Sequence, residues 1–272
     1  MEKIRPKKAL GQNFLTDRTV LARIARLVER GPEARILEVG PGQGALTRLL
    51  AEQGARVVAV ELDRQLVPLL EKEFGGFPNV EVVQADILRT DLPGLLLPRF
   101  PGAWQVAANL PYNISSQVLF RFLDSRSLFS RLVLMLQKEV GDRLVAPPGT
   151  KEYGILSVLL RLHFDITREF TVRPGSFYPV PKVDSVVLSF TPLPAPRVEV
   201  ADEQFFRRVV KAAFGQRRKT LWNCLKALDL ACDDRALADA LAGCGIDRGR
   251  RGETLSLEEF ALLAGALASL KR

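Results

Sequence analysis

The chain has 272 residues, 47% apolar and 26% charged, and a formal net charge of +8 at neutral pH. That length holds one large domain and a small one, and no apolar run reaches the roughly 18 residues needed to cross a bilayer. A lone histidine, His163, excludes a multi-histidine metal centre, and Cys224, Cys232 and Cys244 are too few and too scattered for a disulfide framework.

The three cysteines read as small buried apolar residues. The N-terminus carries charges without an apolar segment, so no secretory signal is expected. A metal-free, cytosolic protein fits this composition.

Between residues 18 and 136 helical and strand patterns alternate. Strands are expected near 35–39, 56–60, 80–84, 104–108 and 131–136 with helices between them, which implies a parallel, doubly wound α/β sheet. The first strand runs into Glu38-Val39-Gly40-Pro41-Gly42-Gln43-Gly44. Glycines at such a turn allow positive φ and let a ligand approach the backbone. Their Gly-x-Gly-x-Gly spacing differs from the Gly-x-Gly-x-x-Gly dinucleotide fingerprint.

The second strand ends at Glu61 and the third at Asp86. A carboxylate at Glu61 can accept both ribose hydroxyls of an adenosine-type ligand, and Asp86 stands where it can meet an adenine edge. Either acid alone reads as a solvated loop residue; three successive strands ending in a glycine loop, a Glu and an Asp do not read as coincidence.

The fourth strand runs into Asn109-Leu110-Pro111-Tyr112. The Asn109 side-chain oxygen and the Leu110 or Pro111 carbonyl offer two acceptors, and Tyr112 offers a flat ring. That set suits the planar exocyclic amine of a base. Asn and Pro are also ordinary turn residues.

Leu132–Leu136 reads as a strand buried on both faces. After a helix near 153–162, Asp165–Val172 and Val183–Thr191 are expected to pair antiparallel at one sheet edge. Pro192-Leu193-Pro194-Ala195-Pro196 breaks both periodicities. It separates a domain at 1–191, with a basic N-terminal arm, from a helical domain at 197–272, where Phe205–Phe214 and Ala236–Leu241 carry helical patterns.

Charge is unevenly spread. Residues 1–30 hold eight Lys/Arg against three acids, residues 31–196 seventeen of each, and residues 197–272 fourteen against eleven. Arg207, Arg208, Lys211, Arg217, Arg218 and Lys219 lie in a thirteen-residue window without an acid. Such a window is either a solvated helix face or a grip on nucleic-acid phosphates. Lys3, Arg5, Lys7 and Lys8 form the alternative basic patch.

The glycine run, Glu61, Asp86 and Asn109-Leu110-Pro111-Tyr112 together resemble the S-adenosylmethionine-dependent adenine-N6 dimethylases of ribosomal RNA. Leu10-Gly11-Gln12-Asn13-Phe14-Leu15 is similar to that family's N-terminal signature, and Phe177-Tyr178-Pro179-Val180-Pro181-Lys182-Val183-Asp184-Ser185 to its post-catalytic loop. The likeness covers nearly the whole chain and is strongest to the branch acting on bacterial small-subunit rRNA.

The resemblance implies a seven-stranded, Rossmann-like methyltransferase sheet with a smaller helical C-terminal domain. It implies S-adenosylmethionine held by Asn13, Leu15, Gly40, Gly42, Glu61, Asp86 and Asn109, and no metal. Asn109, Leu110, Pro111 and Tyr112 would then carry catalysis, with Phe177 closing the opposite face of the target base. Phe177 also reads as a core residue of a Pro-rich loop, and Gln12-Asn13 as helix caps ahead of Thr16-Asp17.

The implied reaction is N6-dimethylation of two adjacent adenosines in the 3′-terminal hairpin loop of 16S rRNA, by a cytoplasmic monomer working on the rRNA or a 30S assembly intermediate. A large-subunit rRNA dimethylase, or a non-catalytic assembly or transcription factor on the same scaffold, is the alternative.

Overall fold

The computed structural model describes residues 6–7, 10–216, 218–228, 230 and 233–270. In chain order the elements are β1 (Phe14–Leu15), α1 (Arg18–Ala25), β2 (Arg35–Val39), α2 (Ala45–Glu52), β3 (Arg56–Glu61), α3 (Val67–Phe74), β4 (Val80–Gln84), α4 (Leu92–Leu96), β5 (Trp104–Asn109) and α5 (Ser115–Asp124). There follow β6 (Phe129–Gln137), α6 (Lys138–Val145), α7 (Ile155–Arg161), β7 (Phe164–Val172), β8 (Phe177–Tyr178) and β9 (Ser185–Pro192), then α8 (Glu203–Ala213), α9 (Leu221–Leu225), α10 (Asp234–Gly243) and α11 (Leu257–Ala268).

Contacts divide the chain into two units, 1–141 with 165–192 and 142–164 with 193–272. The first unit carries a seven-stranded sheet in the order β4-β3-β2-β5-β6-β9-β7. From β4 to β6 the strands are parallel, and β9 returns antiparallel to β6. The five parallel strands fall where the hydrophobic runs placed them. The two late strands lie side by side at one edge, as expected.

Val57-Val58-Ala59-Val60 and Leu132–Leu136 are buried at every position. Unbroken burial, without in-out alternation, is what a parallel sheet covered on both faces requires. On one face Val20, Leu21 and Ile24 of α1 pack with Ile36, Val57, Ala59, Ala107, Val133 and Met135 of the strands. Asp17 starts α1 by accepting the Thr19 and Val20 N–H groups at 2.9 and 3.2 Å. The cap is therefore Asp17, and the capping reading of Gln12-Asn13 does not hold. β1 and β8 form a separate antiparallel ribbon that pairs Phe14 with Tyr178 and Leu15 with Phe177.

The second unit is helical, and it takes in residues 142–164, which the division at 191/197 had assigned to the first. The cause is long-range bonding that no local pattern encodes. Leu193 and Arg197 donate their N–H groups to the His163 and Leu162 carbonyls, both at 2.8 Å, and Gly149 N–H reaches the Glu253 carbonyl at 2.8 Å. The Tyr153 ring meets Phe214 edge-on at 6.0 Å.

Helix α8 is amphipathic: Phe205, Phe206, Val209, Val210 and Ala213 are buried, while Arg208 and Lys211 face water. Cys224 is buried as expected, Cys244 is half-buried, and Cys232 lies outside the described residues. Among the described residues no helix is long and apolar enough to cross a membrane.

Because Phe206 is fully buried, Phe206→Ala should destabilise the helical unit by about 3–5 kcal/mol. Arg208→Ala on the opposite face should change stability by less than about 0.5 kcal/mol. Urea unfolding followed by circular dichroism measures both.

Candidate cofactor and base site

In the parallel part of the sheet, chain order runs outward from β2 to β3 and β4 on one side and to β5 and β6 on the other. Strand order thus reverses between β2 and β5, and loops leaving adjacent parallel strands there diverge and open a cleft. The glycine loop leaves β2, Glu61 ends β3, Asp86 follows β4, and Asn109 ends β5. One cleft is lined by Asn13, Leu15, Gly40, Gly42, Glu61, Asp86, Asn109, Leu110, Pro111 and Tyr112. All the cofactor residues and four of the five catalytic residues named from sequence therefore meet.

Gly40, Gly42 and Gly44 all hold positive φ. At Gly42 the demand is twofold: φ is +59°, and a Cβ would stand 2.9 Å from the Phe14 ring. Its N–H donates to Glu61 Oε2 at 3.1 Å, while Asp63 N–H donates to Glu61 Oε1 at 2.8 Å. Glu61 is 6% exposed, and burial raises its carboxyl pKa against the pull of these N–H groups. Each oxygen retains a lone pair for a further donor. Asp86 is shaped by its own turn, with Oδ1 accepting Leu88 N–H at 2.9 Å.

Asp63 is a site residue that the sequence reading passed over. Its nearly buried carboxylate accepts Lys7 Nζ at 2.6 Å and Gln12 Nε2 at 2.9 Å. Burial pushes its pKa up, but the Lys7, Gln65 and Gln12 hydrogen bonds outweigh that and hold it below the ordinary carboxylate range. The bonds lash the N-terminal segment across the cleft beside Glu61. Gly11, at φ +64°, passes so close to Asn113 that a Cβ would stand 2.7 Å from its Oδ1. Of the basic N-terminal patch, Lys7 is thus committed to Asp63; Lys3, Arg5 and Lys8 lie outside the described residues.

The same segment reaches the Asn109-Leu110-Pro111-Tyr112 turn. Asn109 Nδ2 donates to the Asn13 carbonyl at 3.0 Å, which leaves Oδ1 as the acceptor in the cleft. Leu110 N–H is tied to the Met135 carbonyl at 3.2 Å, and the Pro111 carbonyl accepts Ile114 N–H at 3.2 Å. The turn thus occupies one lone pair of the Pro111 carbonyl, and of the two the Leu110 carbonyl is the less engaged acceptor among the described backbone bonds. Tyr112 Oη lies 2.7 Å from Ser185 Oγ, and burial raises its phenol pKa.

Phe177 does not join them. It is 2% exposed and packs with Leu15, Val172 and Val187 in the core. In the β1–β8 ribbon it stands opposite Leu15, itself buried and a lining residue of the cleft.

The six basic residues of the acid-free window also divide. Arg207 Nη2 bonds Glu203 Oε1 at 2.9 Å, one helical turn away and just outside the acid-free window. Arg208, Lys211, Arg218 and Lys219 are exposed, and Arg217 lies outside the described residues.

A glycine loop and carboxylates gathered at such a switch point define the class of Rossmann-like methyltransferases. The family model described as ribosomal RNA adenine dimethylase matches residues 3–264. The chain is 66% identical to the ribosomal RNA small subunit methyltransferase A of Geobacter metallireducens, covering 99% of this chain and 98% of that protein. The Bacillus cereus protein of the same name (strain AH187) is 46% identical over 96% of this chain and 91% of its own.

Among solved structures, a dimethyladenosine transferase from Plasmodium falciparum aligns with a TM-score of 0.77 at 25% identity, over 92% of this chain and 95% of that one. The 23S rRNA methyltransferase ErmE aligns with a TM-score of 0.69 at 28% identity, over 94% and 100%. The chain belongs to the ribosomal RNA adenine dimethylase family.

Glu38 lines the cleft floor, 2% exposed, with Oε2 lacking a hydrogen-bond partner. Burial pushes its carboxyl up to about 8; Thr47 opposes this and the neighbouring Glu61 charge adds to it. The unfolded carboxyl ionises near about 4.3. Its contribution to stability is therefore complete below that pH and lost as pH rises through about 8. Glu38→Gln, neutral throughout, should gain stability relative to the native chain between pH 5 and pH 9. Urea midpoints at the two pH values would show it, and an unchanged difference would mean that Glu38 is ionised throughout.

Proposed function

We propose that this chain transfers methyl groups from S-adenosylmethionine to N6 of two adjacent adenosines in the 3′-terminal hairpin loop of small-subunit rRNA, in the cytoplasm and on the rRNA or a 30S assembly intermediate. Family membership and the 66% identity to relatives named small subunit methyltransferases support the substrate. The observation that carries the chemistry is the Asn109–Asn13 hydrogen bond, which fixes Asn109 Oδ1 as an acceptor in the cleft.

The residues fit an adenosine cofactor. Glu61 keeps free lone pairs beside a positive-φ glycine loop, and the unpartnered Oε2 of the buried Glu38 marks a polar position in the cleft open to a ligand group. Gly40, Gly42, Glu61 and Asp86 would hold it, with Asn13 and Leu15 across the cleft. The cofactor supplies a methyl group activated by a positive sulfur.

Adenine N6 is a poor nucleophile because its lone pair is delocalised into the ring. Accepting its two N–H groups at Asn109 Oδ1 and the Leu110 carbonyl favours a pyramidal nitrogen and exposes that lone pair. Tyr112 supplies the face on which a flipped-out base stacks, worth roughly 1–3 kcal/mol. No general base is required when the amine sheds its proton after transfer.

The decisive experiment incubates the protein with labelled S-adenosylmethionine and a mixture of undermethylated 30S and 50S particles and maps the label. Label on large-subunit rRNA, or none, would overturn the reading. Asn109→Ala should lower turnover about 10²-fold or more while leaving RNA affinity within a few-fold, because its bond strengthens at the transition state. Near-normal turnover would remove Asn109 from the chemistry.

Arg208, Lys211, Arg218 and Lys219 are read as phosphate contacts. Neutralising all four should flatten the dependence of log affinity on log salt by roughly three to four units. An unchanged slope in filter-binding titrations would mark them as a solvated face.

A further inference from the structure

The Tyr112–Ser185 contact joins two separated motifs and is used by nothing described so far. Ser185 is fully buried at the start of β9, opposite Gln137 of β6. The preceding carbonyl, of Asp184, accepts Lys138 N–H at 2.9 Å. Its hydroxyl is thus carried by sheet backbone rather than by a loose loop, and it stands 2.7 Å from Tyr112 Oη. The backbone carbonyl of Tyr112 accepts Ser115 Oγ at 3.2 Å. The residue is thus held at its backbone and at the far end of its ring.

We propose that Ser185 is a positioning residue for methyl transfer, setting the plane of the Tyr112 ring on which the target adenine stacks. The inference rests on the reading of Tyr112 as a stacking platform. A tyrosine ring otherwise turns about two side-chain torsions, the second of them broad. A hydroxyl held at its far end restricts both. Ring tilt sets base tilt, and base tilt decides whether both N6 hydrogens meet Asn109 Oδ1 and the Leu110 carbonyl together. RNA affinity rests mainly on phosphate contacts and is insensitive to that tilt. The loss should therefore fall on kcat and spare KM.

The test uses the full-length chain with undermethylated 30S particles. Ser185→Ala should lower kcat about tenfold, with KM for particles and for S-adenosylmethionine within about twofold. Ser185→Thr, which keeps the hydroxyl, should restore most of the rate. Tyr112→Phe deletes the same bond from the other side and should lose a similar factor. The double variant should be no slower than the slower single, because both remove one interaction.

A 2-aminopurine placed at the target position of a hairpin RNA should be quenched on binding by the native chain and less so by Ser185→Ala. Unchanged kcat in Ser185→Ala, or multiplicative losses in the double variant, would overturn the proposal. If Ser185→Ala does not fold, the kcat and quenching of Tyr112→Phe decide alone, and native values would overturn it. Failure of the native chain to methylate any rRNA would instead overturn the functional reading itself.

Discussion

Parallel strands all end at the same edge of their sheet, and in this chain that rule does most of the assembling. β2, β3, β4 and β5 run together, so the glycine loop, Glu61, Asp86 and Asn109 arrive at one edge although they lie far apart in the sequence. The reversal of strand order between β2 and β5 then opens the sheet where the two most chemically loaded loops emerge. Burial of both sheet faces holds the strand ends rigid, a condition for any site that works by alignment.

Onto that edge the N-terminal segment is fastened by a buried charge. Asp63 has left water almost entirely, and a buried carboxylate is costly unless paired. Lys7 and Gln12 satisfy it, while the Asp63 N–H engages Glu61. One acidic residue thus couples the strap over the cleft to the Glu61 carboxylate. The strap's next residue, Asn13, orients the amide of Asn109. Glu61 and Asn109 are thus linked through a few residues of backbone, so a disturbance at either end reaches the other through short, named bonds.

The helical unit shows how charge and structure separate within one sequence window. Arg207 and Arg250 have become structural: the first pairs with Glu203, the second with Glu259. Arg208, Lys211, Arg218 and Lys219 stay in water. Side-chain charge alone cannot distinguish these fates, because an acid one helical turn away, or across a loop, changes the guanidinium's role.

Much of this protein was legible from its sequence. Period and composition located the five parallel strands and the pair at the sheet edge, most plainly at 57–60 and 132–136, because a strand buried on both faces must be apolar throughout. Motif spacing identified the cleft residues, since each sits at a strand end that the period already marked. Tertiary structure decided what depends on contacts between distant segments. It brought Asp63 to Lys7 and Gln12, and Ser185 to Tyr112, 73 residues apart in the chain. It joined residues 142–164 to the helical unit. It packed Phe177 with Leu15, Val172 and Val187, because ribbon register, and not residue type, decides which neighbours an aromatic ring meets.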